Sequence, residues 1–252
     1  MQKNRVAAMR RAFADLHLRV NLKDPAATAR MINKAATLGY RLIAVPSSPE
    51  TRADEIVKLR TACSEAKIDL ASRIDIKPRT QNELIQQLRR LRRKLEVICV
   101  NCENKEVARQ AAKDRRVDLL NFPSPDFRRR FFDRAEAELA SNSLAALEID
   151  VKPLLVLEGP ARIRFLSSLR REAAIAREFR VPIVVSSGAA AEMLLRRPRE
   201  MAALAFLFGL NEASALEAVS QNPVAIVKRN REKLSSKFVA PGIRVIKEGK
   251  DC

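Results

Sequence analysis

Seven short aliphatic runs, each followed by a stretch of helical periodicity, constrain this chain more than any other feature. The runs are FADLHL (13–18), LIAVP (42–46), IDLASRIDI (68–76), EVICVN (96–101), VDLLNF (117–122), LAALEID (144–150) and VPIVVSS (181–187). Amphipathic helices are predicted at about 25–38, 52–66, 81–95, 105–114, 127–141 and 160–180. Strands that alternate with helices in this way form βαβ units and a parallel sheet. Seven strands with right-handed crossovers are too many for a small open sheet and come close to a full barrel. Residues 190–232 differ: AAEMLL, PREMAALAFLF, NEASALEAVS and NPVAIVKRNREKL predict successive helices, with Pro198 and Pro223 in first turns that tolerate proline. No eighth strand is evident, and the spacing from Ala203 to Leu207 suits a helix better.

The expected fold is therefore α/β, an irregular TIM-like (β/α) barrel of about seven strands with a helical C-terminal region. Such a barrel needs ~250 residues, and the chain has 252. With 6 glycines and no Gly/Ser linker, a single domain over 1–234 is expected, followed by a basic extension over 235–252.

Charge narrows the function. Lys and Arg number 48 against 30 acids, a formal net charge of +18. Such an excess repels itself and costs stability unless a polyanion neutralises it. A strongly basic domain is the electrostatic footprint of nucleic-acid binding. Cys63, Cys99, Cys102 and Cys252 are few for this length, and the N-terminal MQKNRVAAMRRAF lacks the apolar core of a secretory signal. The longest apolar run, MAALAFLFGL (201–210), is too short to span a bilayer. A soluble cytoplasmic protein with no membrane contact is expected.

In a parallel barrel, function sits on the loops after the strands. Those ends carry Asp15 and His17, Ser47 and Ser48, Asp75 and Lys77, Asn101, Ser124, Asp150 and Lys152, and Ser186 with Ser187. A metal-dependent phosphoesterase reading would use Asp15, His17, Glu148 and Asp150. Sites of the di- or trinuclear type need several imidazoles, and the chain has 1 histidine. CVNC (99–102) has the CxxC spacing but lacks two further nearby ligands for zinc; Cys99 should be buried in its strand and Cys102 half-exposed. GxGxxG and GxxxxGK[ST] are both absent.

The helix LIQQLRRLRRKL (84–95) places Leu84, Leu88, Leu91 and Leu95 on one stripe. Arg89, Arg90 and Arg93 point away from that stripe, flanked by Arg92 and Lys94, and no acid lies between Glu83 and Glu96. A solvated face usually mixes signs. FRRRFF (127–132) and LRRPRE (195–200) add two arginine clusters, and arginine suits bidentate phosphate contacts. Arg197 and Arg199 bracket Pro198, which stiffens their spacing. With Lys152 and the hydroxyls of Ser186 and Ser187, they form an expected phosphate-contacting set at the barrel mouth.

The stretch VPIVVSSGAAAEMLLRRPREMAALAFLFGL (181–210), followed by NPVAIVKRN (222–230), resembles archaeal ribonuclease P protein component 3, a family shared with eukaryotic nuclear ribonuclease P. EIDVKPLL (148–155), ENKEVARQAAKDRRVDLLNFP (103–123) and ADLHLR at the first strand fit the same pattern. The resemblance implies a barrel of the PHP phosphoesterase type with its metal site lost. The PHP pattern opens with two histidines flanking one residue, whereas Arg19 stands at the second position here. His17 is then a remnant or an RNA contact. The resemblance further implies an RNA-binding subunit of ribonuclease P, which removes the 5′ leader of precursor tRNA. The RNA subunit would carry the chemistry and its Mg²⁺, and no cofactor would be bound by the protein. Implied partners are ribonuclease P RNA, precursor tRNA, the ferredoxin-like protein component 2 and the other protein subunits. The rival class is a divergent PHP-like metal-dependent phosphoesterase.

Overall fold

A computed structural model describes residues 11–48, 50–240 and 243–244. All seven expected strands are present: β1 (Ala14–Asp15), β2 (Leu42–Ser47), β3 (Asp69–Ile76), β4 (Val97–Asn101), β5 (Leu119–Asn121), β6 (Ala146–Asp150) and β7 (Ile183–Ser186). They pair in sequence order, each parallel to the next. Helices α1 (Pro25–Leu38), α2 (Ala53–Glu65), α3 (Gln81–Leu91), α4 (Lys105–Lys113), α5 (Arg134–Ser143), α6 (Lys152–Val156) and α7 (Gly159–Glu178) form the crossovers. Side-chain caps start several of them: Asp24, Thr80, Asn104 and Asp133 each accept a backbone N–H from the first turn. A cap of this kind contributes about 1 kcal/mol.

Two boundaries shift from expectation for visible reasons. Helix α3 stops at Leu91 because the Arg92 guanidinium donates to the carbonyls of Leu95 (2.5 Å) and Arg116 (3.1 Å), turning the chain into β4. Leu84 and Leu88 are buried, and Leu91 and Leu95 still pack on the same cluster. Helix α5 begins at Arg134, not at 127, because the Asp133 side chain caps it, and a single 3-10 turn (Phe127–Arg129) precedes it.

Strand β1 pairs only with β2, and β7 only with β6, within the described ladders. At the mouth the seam between them is bridged by the loop after β7. The Arg19 amide donates to the Ala189 carbonyl (2.9 Å) and the Ser187 amide to Asp15 Oδ1 (3.0 Å). At the opposite end, which we call the floor, the Ala14 amide donates to the Val219 carbonyl (3.0 Å). The C-terminal helices α8 (Pro198–Phe206), α9 (Glu212–Ala218) and α10 (Gln221–Leu234) cover the seam and the floor. Ala203 to Leu207 is helical through Phe206, as its spacing predicts. Beyond α10, β8 (Phe238–Ala240) and β9 (Ile243–Arg244) form an antiparallel pair.

The lumen is lined largely by small and aliphatic side chains. Ala14, Ala44, Ala71 and Ala146 share it with Leu16, Leu42, Val97, Cys99, Leu119 and Val184, while Ile226 and Val227 of α10 close it from the floor. Cys102 departs from expectation: it is fully buried, in the outer cluster between barrel and helices. Side chains alternate along a strand, so residues three apart face opposite sides, and Cys99 and Cys102 cannot ligate one ion. Cys252 lies outside the described residues. No helix among the described residues is long and apolar enough to cross a membrane.

Candidate functional site

Alternation along the strands decides what reaches the mouth. Above the alanine layer, β3 sends Arg73 and then Asp75 inward, β6 sends Glu148 and then Asp150, β5 sends Asn121, and β7 sends Ser186. Arg73 is 0% exposed. Its guanidinium pairs bidentately with Glu148 (2.6 and 2.7 Å), and it also donates to Asp75 Oδ1 (2.6 Å) and to the Leu16 carbonyl (2.6 Å). Glu148 accepts further bonds from the Ser186 hydroxyl (2.8 Å) and the Asn121 amide (2.9 Å). Burial alone would raise the Glu148 carboxyl. Arg73, then His17 and Asn121, reverse that and hold it well below the usual carboxylate range.

His17 completes the ring. Its Nδ1 contacts Asp150 Oδ1 and Oδ2 at 2.9 and 3.1 Å. Its Nε2 lies 3.3 Å from Asp75 Oδ2, an ion-pair contact without hydrogen-bond alignment. Burial lowers the affinity of this imidazole for its proton, but the Asp150 and Glu148 charges outweigh both burial and Arg73, and the pKa is raised. Arg73 and His17 thus face Glu148, Asp75 and Asp150. Asp15 stands at the seam, where Oδ1 accepts the amides of His17 (3.1 Å) and Ser187 (3.0 Å). Its carboxyl is pushed up by burial, and Oδ2 has no partner.

The SSGA segment is shaped by this ring. Gly188 has φ +60°, and a Cβ there would meet the Asp150 side chain at 3.2 Å. Glycine supplies both the left-handed backbone and the clearance.

Sequence-predicted residues separate into three places. His17, Ser186 and Ser187 are buried inside the ring. The Ser186 hydroxyl is used by Glu148, the Ser187 amide by Asp15, and the Ser187 hydroxyl accepts from the Ala189 amide (3.1 Å). Neither serine offers a free group to a phosphate, and the unpartnered His17 Nε2 is buried against Asp75. Lys152 is half-buried beside them, its amide bonded to the Ser187 carbonyl (3.0 Å). Arg197 and Arg199 are exposed at the start of α8, but they are not at the mouth. Tyr40, which precedes β2 at the floor end, donates its hydroxyl to the Arg196 carbonyl (3.0 Å), so this segment has descended along the barrel side. The Arg197 amide donates to Glu200, closing the first turn of α8. Arg89, Arg90 and Arg93 are exposed at the end of α3, on the floor side.

Two of the expected arginine contacts are structural instead. Arg92 pairs with buried Asp118 (2.5 Å). Arg130, from FRRRFF, is buried, with its fork on Glu172 and another nitrogen on the Phe122 carbonyl. Composition hides such arginines among the others. The one signal in the sequence was Arg73 itself, a cation in the middle of a predicted strand, two residues from Asp75 and so on the same face of it.

Among the described residues, one group has ligand atoms close enough for a metal, those of His17, Glu148 and Asp150, all within 4.8 Å of one another. Both Glu148 oxygens and the imidazole Nδ1 are already engaged, and a buried guanidinium occupies the cation's place. This donor set does not fit a resident metal ion.

A sequence model described as RNase P subunit p30 matches residues 12–235. Ribonuclease P protein component 3 of Methanosarcina barkeri is 37% identical over 160 residues, covering 64% of this chain and 66% of that protein. The component 3 protein of Methanosarcina acetivorans is 35% identical over 178 residues, covering 71% and 73%. A chain of an archaeal ribonuclease P, solved by cryo-EM with mature tRNA, superposes with a TM-score of 0.82 at 22% identity, over 94% of this chain and 100% of that one. That likeness is one of fold. The family match spans the barrel and its closing helices, and the chain belongs to the RNase P subunit p30 family.

Proposed function

We propose that this chain is an RNA-binding protein subunit of ribonuclease P that supports removal of the 5′ leader from precursor tRNA. The observation that carries the reading is the guanidinium of Arg73 among the mouth carboxylates. It takes both oxygens of Glu148, a central acid that a phosphoesterase would spend on metal, so the chain offers surfaces, not a reaction centre. Family membership and the relatives' names point the same way, as does the net charge of +18. The chemistry and its Mg²⁺ belong to the RNA subunit, the protein binds no cofactor of its own, and component 2 is its protein partner. In this reading, His17, Ser186 and Ser187 are positioning residues of the mouth.

Reconstitution tests it. Adding the protein, with and without component 2, to the RNA subunit should raise precursor-tRNA cleavage. Binding to that RNA should be strongly salt-dependent: with ~5 phosphates neutralised, log K against log salt should slope about −3.5 to −4.5. A slope near zero, with no effect on cleavage, would sink the reading.

A separate expectation distinguishes it from the phosphoesterase. Chelator-free protein should carry no stoichiometric Zn²⁺ or Mn²⁺ and should turn over neither phosphoesters nor RNA by itself. Two or three bound ions together with turnover would instead favour an enzyme built on Asp15, His17, Glu148 and Asp150.

A further inference from the structure

The charge excess is not spread evenly between the two ends of the barrel. The loops that follow the seven strands (19–24, 48–55, 77–83, 102–106, 123–129, 151–158 and 187–192) hold nine cations and ten acids. Three floor segments (89–96, 113–118 and 228–233) hold twelve cations and four acids. Mouth loops are therefore close to neutral, while the floor concentrates positive charge.

Moreover, the floor acids are consumed internally. Asp118 is buried and accepts from Arg92 (2.5 Å), Arg229 (3.1 Å), the Asn230 side chain (2.7 Å) and the Ile98 amide (2.9 Å). Asp114 is held by Arg116 (2.6 Å), and Glu96 pairs with Arg231. Asp118 joins the end of α3, the turn before β5 and helix α10, because Arg92 follows α3 while Arg229 and Asn230 lie on α10. Lys233 lies against the same cluster without a carboxylate of its own. Burial and then Arg229 depress its ammonium pKa, Arg92 adds to the effect, and Asp118 opposes it. The Arg229 Nε is buried with no acceptor. Around this fixed centre, Arg89, Arg90, Arg93, Lys94 and Arg115 are exposed.

The negative end of a helix attracts cations, which accounts for one or two per terminus. It does not account for two guanidiniums on a single buried carboxylate with a third cation near enough to feel both. Like charges held this close cost stability unless a polyanion meets them. Guanidiniums fixed in orientation lose little freedom when a phosphate binds.

Resting on the ribonuclease P reading, we propose that the barrel floor, not the mouth, is the face that grips the RNA backbone. Asp118 acts as a positioning residue that sets Arg92 and Arg229. Lys233 and the exposed arginines at the end of α3 supply phosphate contacts. These contacts read no bases, so the face recognises the path of an RNA backbone and leaves sequence choice to other elements.

The test compares two charge-matched triple variants of the full chain, using a transcript of the ribonuclease P RNA subunit as probe. The floor set is Arg89→Gln, Arg90→Gln and Lys233→Gln; the mouth set is Lys23→Gln, Lys77→Gln and Arg79→Gln. All six side chains are exposed, so both proteins should fold, and thermal melting checks this. Losing three phosphate contacts should flatten the salt slope by about 2 to 3 and weaken binding about tenfold or more, whereas the mouth set should change the slope by less than about 0.5. Wild-type protein that binds the transcript, with the mouth set impaired as much as the floor set, overturns the face alone. Wild-type protein that fails to bind at all overturns the reading of function beneath it. Intact RNA binding by the floor set, with loss of co-elution with component 2, would make the floor a protein interface and also overturn the proposal.

Discussion

Replacing Arg73 by alanine is expected to cost about 3–5 kcal/mol of stability, a large part of what a domain has in total. Glu148 is 1% exposed and would lose both guanidinium bonds, and Asp75 would lose its own. The midpoint of urea unfolding should fall without much change in the slope of the transition. The loss should also depend on pH in a defined direction. In the wild type, the Glu148 carboxyl is held below its usual value, so its contribution is complete above about pH 4.5 and fades as pH falls towards the folded value. In the variant, burial acts unopposed by Arg73 and raises the same carboxyl, so the penalty for its charge disappears on protonation. The gap between the two proteins should therefore narrow as pH drops from 7 towards 4. A constant gap, or a loss under 1 kcal/mol, would show that the ring does not depend on Arg73. The variant should also take up a divalent cation that the wild type does not, because Glu148 is freed next to His17 and Asp150, whose ligand atoms lie within 4.8 Å of its own.

Arg130 should matter nearly as much, although nothing in FRRRFF marks it off from its neighbours. Its fork meets Glu172 at 2.7 and 2.5 Å, its remaining nitrogen meets the Phe122 and Ser124 carbonyls at 2.5 and 3.1 Å, and it lies 5.1 Å from the centre of the Phe165 ring. Glu172 is fully buried on α7. Arg130 therefore ties the loop after β5 to that helix. Arg130→Ala strands a buried carboxylate and two carbonyls, an expected loss of about 3–5 kcal/mol. Arg129→Ala, one residue away and exposed, should change stability by about 0.5 kcal/mol or less. Chemical denaturation of both variants decides the matter. Equal losses would mean that the buried pair contributes little.

The element order was legible before any coordinates because it is written in local terms. Seven aliphatic runs alternating with amphipathic stretches predict seven strands and their crossovers, and the strand at 42–47 and the helix at 25–38 appear almost residue for residue. Proline in first turns located α8 and α10 equally well. His17 was also legible as a histidine without the companions that a metal site needs. Partnership across the barrel was not legible. Arg73 and Glu148 are 75 positions apart, Arg130 and Glu172 42, and Asp118 and Arg229 111. Composition counts each of these arginines as one more positive charge on a basic chain. Only closure of the barrel turns three of them inward and leaves others outside. Likewise, the motif after β7 and the pair around Pro198 are near neighbours in sequence, yet one faces the mouth and the other lies down the barrel side. Local periodicity determined which residues form strands and helices, because backbone geometry repeats over a few residues. Tertiary structure decided which charges are spent in pairs and which remain on the surface, because a buried charge persists only where a distant partner meets it.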